Sequence, residues 1–388
     1  MRFLIKRREL LLGLGTLAST VPFACANRFK NYNQVKALYN PKRRFSVVGN
    51  TSLRKRAALK GLIYGAFPSF GYENLSKNKQ LQSAFIRECG LLVGGFYWGV
   101  TRPSINNFNF HDTDSFAQFA SEHGMLFRGH PLVWHQVIPD WLTSKFQDHK
   151  TTSKEIENIL TNHVSTIVKR YAGRIHSWDV VNEAIEPKHG RPDGLQNTPW
   201  LKFLGPDYID IAFRTARDAD PKALLVYNDA LLDHDIPEHE ARRIATLKLL
   251  ETLKSKGTPV QALGIQAHLF ADKPFNPKKL RAFLRDVASL GLKILITELD
   301  VADNDLPKDI DVRDRIVASV YEDYLSVVLN EPAVIAVITW GFTDSDTWLS
   351  RFPRSDRAPL RPLPFDFNMK PKLAWNAMAR AFDKAPKR

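Results

Sequence analysis

From Gly61 onward the chain repeats one pattern: a short apolar segment, then a stretch whose apolar residues recur at helical intervals, then another short apolar segment. Strands separated by helices cannot pair as tight hairpins. Each helix carries the chain back across the sheet, so the strands run parallel. The predicted strands are 62–67, 91–98, 125–134, 175–183, 223–228, 263–269, 294–300 and 334–339. Helical periodicity is clearest over 154–171, 238–256, 277–290 and 312–329, where Gly or Pro ends the run. Eight such units describe an α/β fold, a (β/α)8 barrel, and 388 residues at 44% hydrophobic content suffice for one such domain. The competing architecture, an open doubly wound sheet, usually carries a glycine-rich phosphate loop after its first strand; here PSFGYENLS follows instead.

The amino terminus resembles a twin-arginine export signal. KRRELLL contains Arg7 and Arg8, an apolar stretch runs from Leu10 to Val21, and ACA offers a cleavage point after Ala26. Residues 1–26 are therefore expected to direct export to the periplasm or beyond and to be removed. A short membrane anchor or a lipoprotein acylated on Cys25 is the alternative, but the run is too short to span a bilayer easily and PFAC fits a lipoprotein site poorly. No other stretch is apolar enough to span, so no integral membrane association is expected after cleavage. Of the two cysteines, Cys25 lies in that segment, which leaves Cys89 without an intramolecular disulfide partner. The formal charge is +14, and Lys42, Arg43, Arg44, Arg54, Lys55 and Arg56 concentrate part of it in residues 27–56, read as a basic, solvated linker ahead of a domain over 57–388. Such a distribution does not imply nucleic acid as a partner. Attraction to an acidic polysaccharide or an anionic surface remains open.

In a parallel barrel the polar residues at strand carboxyl ends belong to one site. The apolar strand WDVVNEA stops on Asn182 and Glu183, and KILITELDV runs into Glu298 and Asp300, which share a face because side chains alternate along a strand. Strand three adds His130, Trp134 and His135, strand five Asn228 and Asp229, strand six Gln266 and His268, and strand eight Trp340, with Trp348 on the following loop. Two carboxylates from two strand ends suit glycoside hydrolysis, and neighbouring aromatic faces suit sugar rings. Taken singly, each residue has a plainer reading: a helix cap, an ion-pair partner, a core tryptophan, a structural or zinc-bound histidine. No HExxH or CxxC spacing supports zinc, and no GxSxG supports a serine nucleophile.

Together RGHPLVWH, WDVVNEA, GIQAHL, ITELD, WGFTDSDTW and PFDFNMKPKLAW, in this order between Gly61 and Phe382, resemble glycoside hydrolase family 10, the retaining endo-β-1,4-xylanases. The resemblance implies Glu183 as acid/base and Glu298 as nucleophile, with Asn182 on the sugar's 2-hydroxyl and His268 and Asp300 orienting Glu298. It places His130, Gln266, Trp340 and Trp348 around the attacked sugar; Trp134, His135 and Asn228 at the strand ends, and Tyr97 beyond strand two, are further expected substrate contacts. It implies a polysaccharide substrate, no metal or organic cofactor and a monomer. A double displacement predicts carboxyl groups about 5 to 5.5 Å apart and retained anomeric configuration. Two other readings of the chain are a carbohydrate-binding protein without turnover and an enzyme in which transglycosylation outruns hydrolysis.

Strand two departs from the family. Where relatives carry Glu-Asn and, three residues later, Lys, this chain has Val93, Gly94 and Tyr97. Those family residues hold the second sugar on the non-reducing side. Gln136 and Val137 replace Ser-Gln, and Ala230 stands where relatives usually have Tyr. Either the chain is a weaker xylanase, or Gly94, Gly95, Phe96 and Tyr97 form a broader, more aromatic pocket that admits a substituted sugar or a different glycan; on both readings plain linear oligosaccharides are expected to be cut less well than is usual. Arg351, Arg354, Arg357 and Arg361 crowd the loop after strand eight. They are solvated or paired within the protein, or one of them meets a glucuronic acid branch.

Overall fold

The computed structural model describes residues 39–68 and 71–388. Its strands are β1 (Ile63–Ala66), β2 (Leu91–Gly95), β3 (Leu126–His130), β4 (Ser177–Asn182), β5 (Leu224–Asp229), β6 (Ala262–Ile265), β7 (His268–Phe270), β8 (Lys293–Ala302) and β9 (Val334–Thr339). Neighbours pair in parallel in the order β6-β5-β4-β3-β2-β1-β9-β8-β7, and a further β6–β8 pairing closes the ring. β7 continues the stave begun by β6 after a break at Ala267, whose φ of 61° lies in the left-handed region. The closed barrel therefore has eight staves, as the alternation of segments predicts.

The helices form where their periodicity places them. In Ser153–Tyr171 the Thr152 hydroxyl accepts from Glu155 N at 3.2 Å, and Ile156, Ile159, Leu160, Val164, Ile167 and Val168 are buried at three- and four-residue spacing. Pro237–Ser255 and Pro277–Ser289 both open on proline, which has no amide hydrogen to leave unpaired at a first helical position. These helices pack outside the barrel on strand residues such as Phe127, Trp178 and Tyr227. Inside are two smaller apolar clusters: Val226, Ala262, Leu295 and Ala336, and above them Leu91, Val93, Ile338 and Trp340.

The expected solvated linker needs correcting over its described part. Lys42, Arg44 and Lys55 are exposed, but Arg43 reaches Glu322 and Asp323 at 2.7 Å each. Phe45 and Leu53 are buried, Arg54 donates to the Gly124 carbonyl at 2.5 Å, and Arg56 pairs with Asp383. Interleaved apolar residues dock this stretch, and Arg43 and Arg56 meet carboxylates while Lys42, Arg44 and Lys55 stay in water. Cys89 is buried and free, while Arg7, Arg8 and Cys25 lie outside the described residues. Among the described residues no helix is long and apolar enough to cross a membrane.

Candidate active site

Glu183 follows an interruption in strand register, and Glu298 lies within one. β4 slips against β5 between Asp179 and Val181, and β8 slips against β9 between Ile296 and Leu299. A bulge re-aims the side chains that follow it. Glu183 itself has φ 55°, an uncommon conformation for a residue with a Cβ, held by its amide donating to the Asn228 carbonyl at 2.9 Å. The Glu298 amide donates to the Gln266 carbonyl at 2.9 Å, so each glutamate is pinned to the neighbouring stave by its own backbone.

Glu298 is 4% exposed. Its Oε1 accepts from Asn228 Nδ2 at 2.8 Å and its Oε2 meets His268 Nε2 at 3.2 Å. His268 Nδ1 lies 3.0 Å from Asp300 Oδ1, and Asp300 Oδ2 accepts from Trp348 Nε1 at 2.7 Å. Burial pulls the His268 pKa down, but Asp300 and then Glu298 outweigh it and push the value up to about 10. The imidazolium therefore donates on both sides, and Glu298 receives two donors with no ion pair to a lysine or arginine among the described residues.

Glu183 is half-buried and its oxygens are held differently. Oε2 accepts from Trp134 Nε1 at 2.9 Å, while Oε1 accepts from Gln266 Nε2 at 2.9 Å and Asn182 Nδ2 at 3.2 Å. Asn182 Oδ1 in turn accepts from Asn228 Nδ2 at 2.8 Å. A chain of side-chain amides thus joins the two carboxylates. Asn228 has both amide hydrogens committed, to Asn182 and to Glu298, and its Oδ1 accepts from Thr297 Oγ1 at 2.7 Å. Expected as a substrate contact, it is fully buried and acts as the bridge instead. Asp229 also leaves the set: it is buried against Tyr227, Ala230 N and Arg242, and desolvation pushes its carboxyl up to about 7.

His130 Nδ1 lies 2.9 Å from Asp179 Oδ2 and 3.8 Å from Glu298 Oε1. Asp179 pairs with Arg128, which also donates to Ser177 Oγ at 2.8 Å. This polar floor inside the barrel is missing from the sequence reading. Its signal was available: Arg128 and His130 share a strand face by alternation, and Asp179 is a carboxylate inside an otherwise apolar strand. Trp134 lies beyond β3 on the loop, its carbonyl accepting from Trp200 Nε1 at 3.1 Å, so the predicted strand ends four residues too late. His135 Nε2 lies 3.0 Å from Gln196 Nε2, and burial lowers its pKa. Trp340 stacks on Phe67 with centroids 4.2 Å apart, and Trp348 sits 4.9 Å from the His268 ring.

The glycine-lined pocket expected at strand two is not built as predicted. Val93 points into the barrel beside Trp340, whereas Gly94 faces outward, where a Cβ would lie 2.6 Å from Phe127 Cζ. Phe96 is core, packed edge-on to Trp178 and Tyr171 at 4.8 and 5.1 Å. Only Gly95 faces the site, and the Tyr97 ring covers it: a Cβ there would lie 3.1 Å from Tyr97 Cε2. The wall is aromatic, as expected, because Tyr97 packs against His130 (5.7 Å) and Trp134 (6.0 Å). Val137, at φ 50°, accepts from Gly99 N at 2.7 Å and so ties its own loop to the helical turn after Tyr97. In the arginine loop, Arg354 is buried and donates to the Asp303 and Leu306 carbonyls and to Asp356, while Arg361 pairs with Asp314 at 2.7 Å.

Two carboxylates at the mouth of the barrel, one held by three side-chain donors and one buried against an imidazolium, can between them move a proton and form a bond at one sugar carbon. Similarity to known proteins agrees. The endo-1,4-beta-xylanase B of Thermotoga neapolitana is 33% identical over 294 residues, covering 75% of this chain and 80% of that one. The endo-1,4-beta-xylanase A of Caldicellulosiruptor saccharolyticus is 35% identical over 280 residues, covering 70% and 80%. Among solved structures, native xylanase 10B from Thermotoga maritima superposes with a TM-score of 0.77 at 32% identity, covering 86% of this chain and 98% of that one. Xylanase 10B from Thermotoga petrophila RKU-1, solved in complex with xylobiose, gives 0.78 at 31%, covering 87% and 99%. Residues 52–381 match the family model for glycosyl hydrolase family 10, and the chain belongs to that family.

Proposed function

We propose that the protein is a retaining endo-β-1,4-xylanase in which Glu183 is the acid/base and Glu298 the nucleophile. The observation that carries this is the asymmetry of the two carboxylates. Glu298 is buried and oriented by Asn228 and His268, as a group that must present one fixed oxygen to a carbon. Glu183 is half-exposed and held by Trp134, Gln266 and Asn182, as a group that must exchange protons with substrate and water. In the first step Glu183 protonates the leaving glycosidic oxygen while Glu298 attacks the anomeric carbon, giving a glycosyl ester. In the second, Glu183 takes a proton from water, the water oxygen attacks the same carbon, and Glu298 leaves as carboxylate.

Trp340, Trp348 and Tyr97 supply the faces for sugar rings, and His130 and Gln266 the polar edges. Residues 1–26 act as the twin-arginine export signal and are removed, and the enzyme works as a monomer in the periplasm or outside. Proton NMR of freshly cut xylo-oligosaccharides tests the mechanism: the β-anomer should appear first, and an α-anomer first would overturn it. Glu298→Gln should abolish turnover. Glu183→Gln should still release a leaving group that needs no proton and stall before hydrolysis; steady turnover of that substrate at the native rate would remove Glu183 from the role.

A further inference from the structure

Arg351 ends the short turn Trp348–Arg351, and that turn is fixed at the mouth of the barrel. Trp348 is anchored on Asp300 at 2.7 Å and against His268, and the Thr347 hydroxyl accepts from Leu349 N at 3.2 Å. Arg354 and Arg361, on the same loop, are consumed by internal carbonyls and carboxylates. Arg351 is not: no side chain or carbonyl among the described residues accepts from it, and the residue is exposed. Its guanidinium is nevertheless shielded enough from water to lower its pKa, and the group whose field opposes that is Tyr97. Arg351 correspondingly counters part of the upward push that burial, Glu298 and Glu183 exert on the Tyr97 phenol. Arg351 ends the turn that carries Trp348, and Tyr97 packs on His130 and Trp134, so a cation and a phenol that stays protonated both border the mouth.

At this mouth the family's polar grip is replaced by Val93, Gly94 and Tyr97. A neutral sugar edge finds fewer partners there, and a guanidinium gains most from a carboxylate. An acidic substituent must also overcome Glu183 and Glu298, which repel it, and a nearby cation offsets that repulsion. We infer that Arg351, exposed and unpaired on the turn that Trp348 anchors at the mouth, receives the carboxylate of a uronic acid carried by the glycan on the non-reducing side of the cut. This rests on the function proposed above, and it turns an aromatic wall into a specificity device for acidic over neutral chains.

The test compares kcat/KM on glucuronic-acid-bearing xylo-oligosaccharide with kcat/KM on the unsubstituted chain. Arg351→Gln should lower the acidic-to-neutral ratio at least tenfold, mostly through KM, and Tyr97→Phe should lower it a few-fold. Arg357→Gln, which removes an exposed charge from the same loop, should leave the ratio where it is. An unmoved ratio in Arg351→Gln, or an equal fall in Arg357→Gln, overturns the inference. Calorimetric titration of Glu298→Gln protein with the acidic oligosaccharide reads the same contact without turnover. Tenfold weaker binding after adding Arg351→Gln supports it even if no xylan is cut, which would sink only the proposed reaction; equal binding overturns it.

Discussion

Asn228→Asp exchanges one NH2 for an oxygen and leaves shape and volume nearly unchanged. The exchanged atom is the one that donates to both Asn182 Oδ1 and Glu298 Oε1 at 2.8 Å, and Thr297, donating to the other oxygen, holds the group in that orientation. An ionised aspartate would put two negative charges 2.8 Å apart, worth about 6 kcal/mol at an effective dielectric of about 20. At about 1.36 kcal/mol per unit that corresponds to roughly four pKa units, an upper bound at which the pair would share one proton at neutral pH. Relaxation and water entry reduce the penalty, and about two units is the reasonable expectation. Like charges favour the protonated form, so the sign is fixed: the acid limb of the kcat/KM profile moves to higher pH by about two units, and below both limbs activity is about 100-fold under that of the native protein at the same pH. The single shared proton can serve only one of the two former acceptors, so the link to Asn182 or to Glu298 breaks as well. The measurement is kcat/KM on xylan from pH 4 to 9, with circular dichroism to confirm folding. If a folded Asn228→Asp protein keeps its acid limb within half a unit of the native position and more than a tenth of its activity, the amide bridge does not govern the nucleophile.

Three further outcomes follow from the same geometry. Trp134→Phe keeps a ring over the site but deletes the 2.9 Å donor to Glu183, a bond to an ionisable acceptor worth about 1.5–3 kcal/mol; kcat/KM should fall about tenfold or more, and an unchanged value would contradict the assignment. Arg354→Ala strips the donor from the Asp303 and Leu306 carbonyls and should cost about 3 kcal/mol in urea unfolding while leaving the acidic-to-neutral preference alone; a preference that drops with stability intact would move the anion contact to Arg354. His268 sits above its ordinary value in the folded state, so its contribution to stability is fully present below about pH 6.5 and lost as pH rises through about 10. The stability gap between native protein and His268→Gln, measured by denaturant titration, should shrink between those pH values; a gap that widens with pH reverses the assigned protonation.

The fold was legible because the barrel repeats two periodicities, and each is a local property of the chain. β2 shows both the reach and the limit of that reasoning. Alternation from Leu91 and Val93, which face the lumen, sends Gly94 outward toward Phe127, and this could be counted from sequence; the expectation of a pocket opened by both glycines ignored it. Tyr97 lies two residues past the strand end, where period-2 counting no longer applies, and only the surrounding rings of His130 and Trp134 decide that it turns inward. Glu183 and Glu298 were found because a carboxylate after an apolar run is conspicuous, but their approach depends on two register slips that no local pattern announces. Extending the alternation through those slips would put the wrong faces inward, and so the partners of Asn228 and Asp179 could not be assigned before the staves were side by side. The slips also explain why the support is made of amides and an imidazole drawn from β4, β5, the β6–β7 break and β7: each carboxylate has left its own ladder position and is held largely from the neighbouring staves. A substitution that restores regular register near Val181 or Thr297 should therefore impair catalysis more than it alters stability, because the irregularity is where the glutamates acquire their aim.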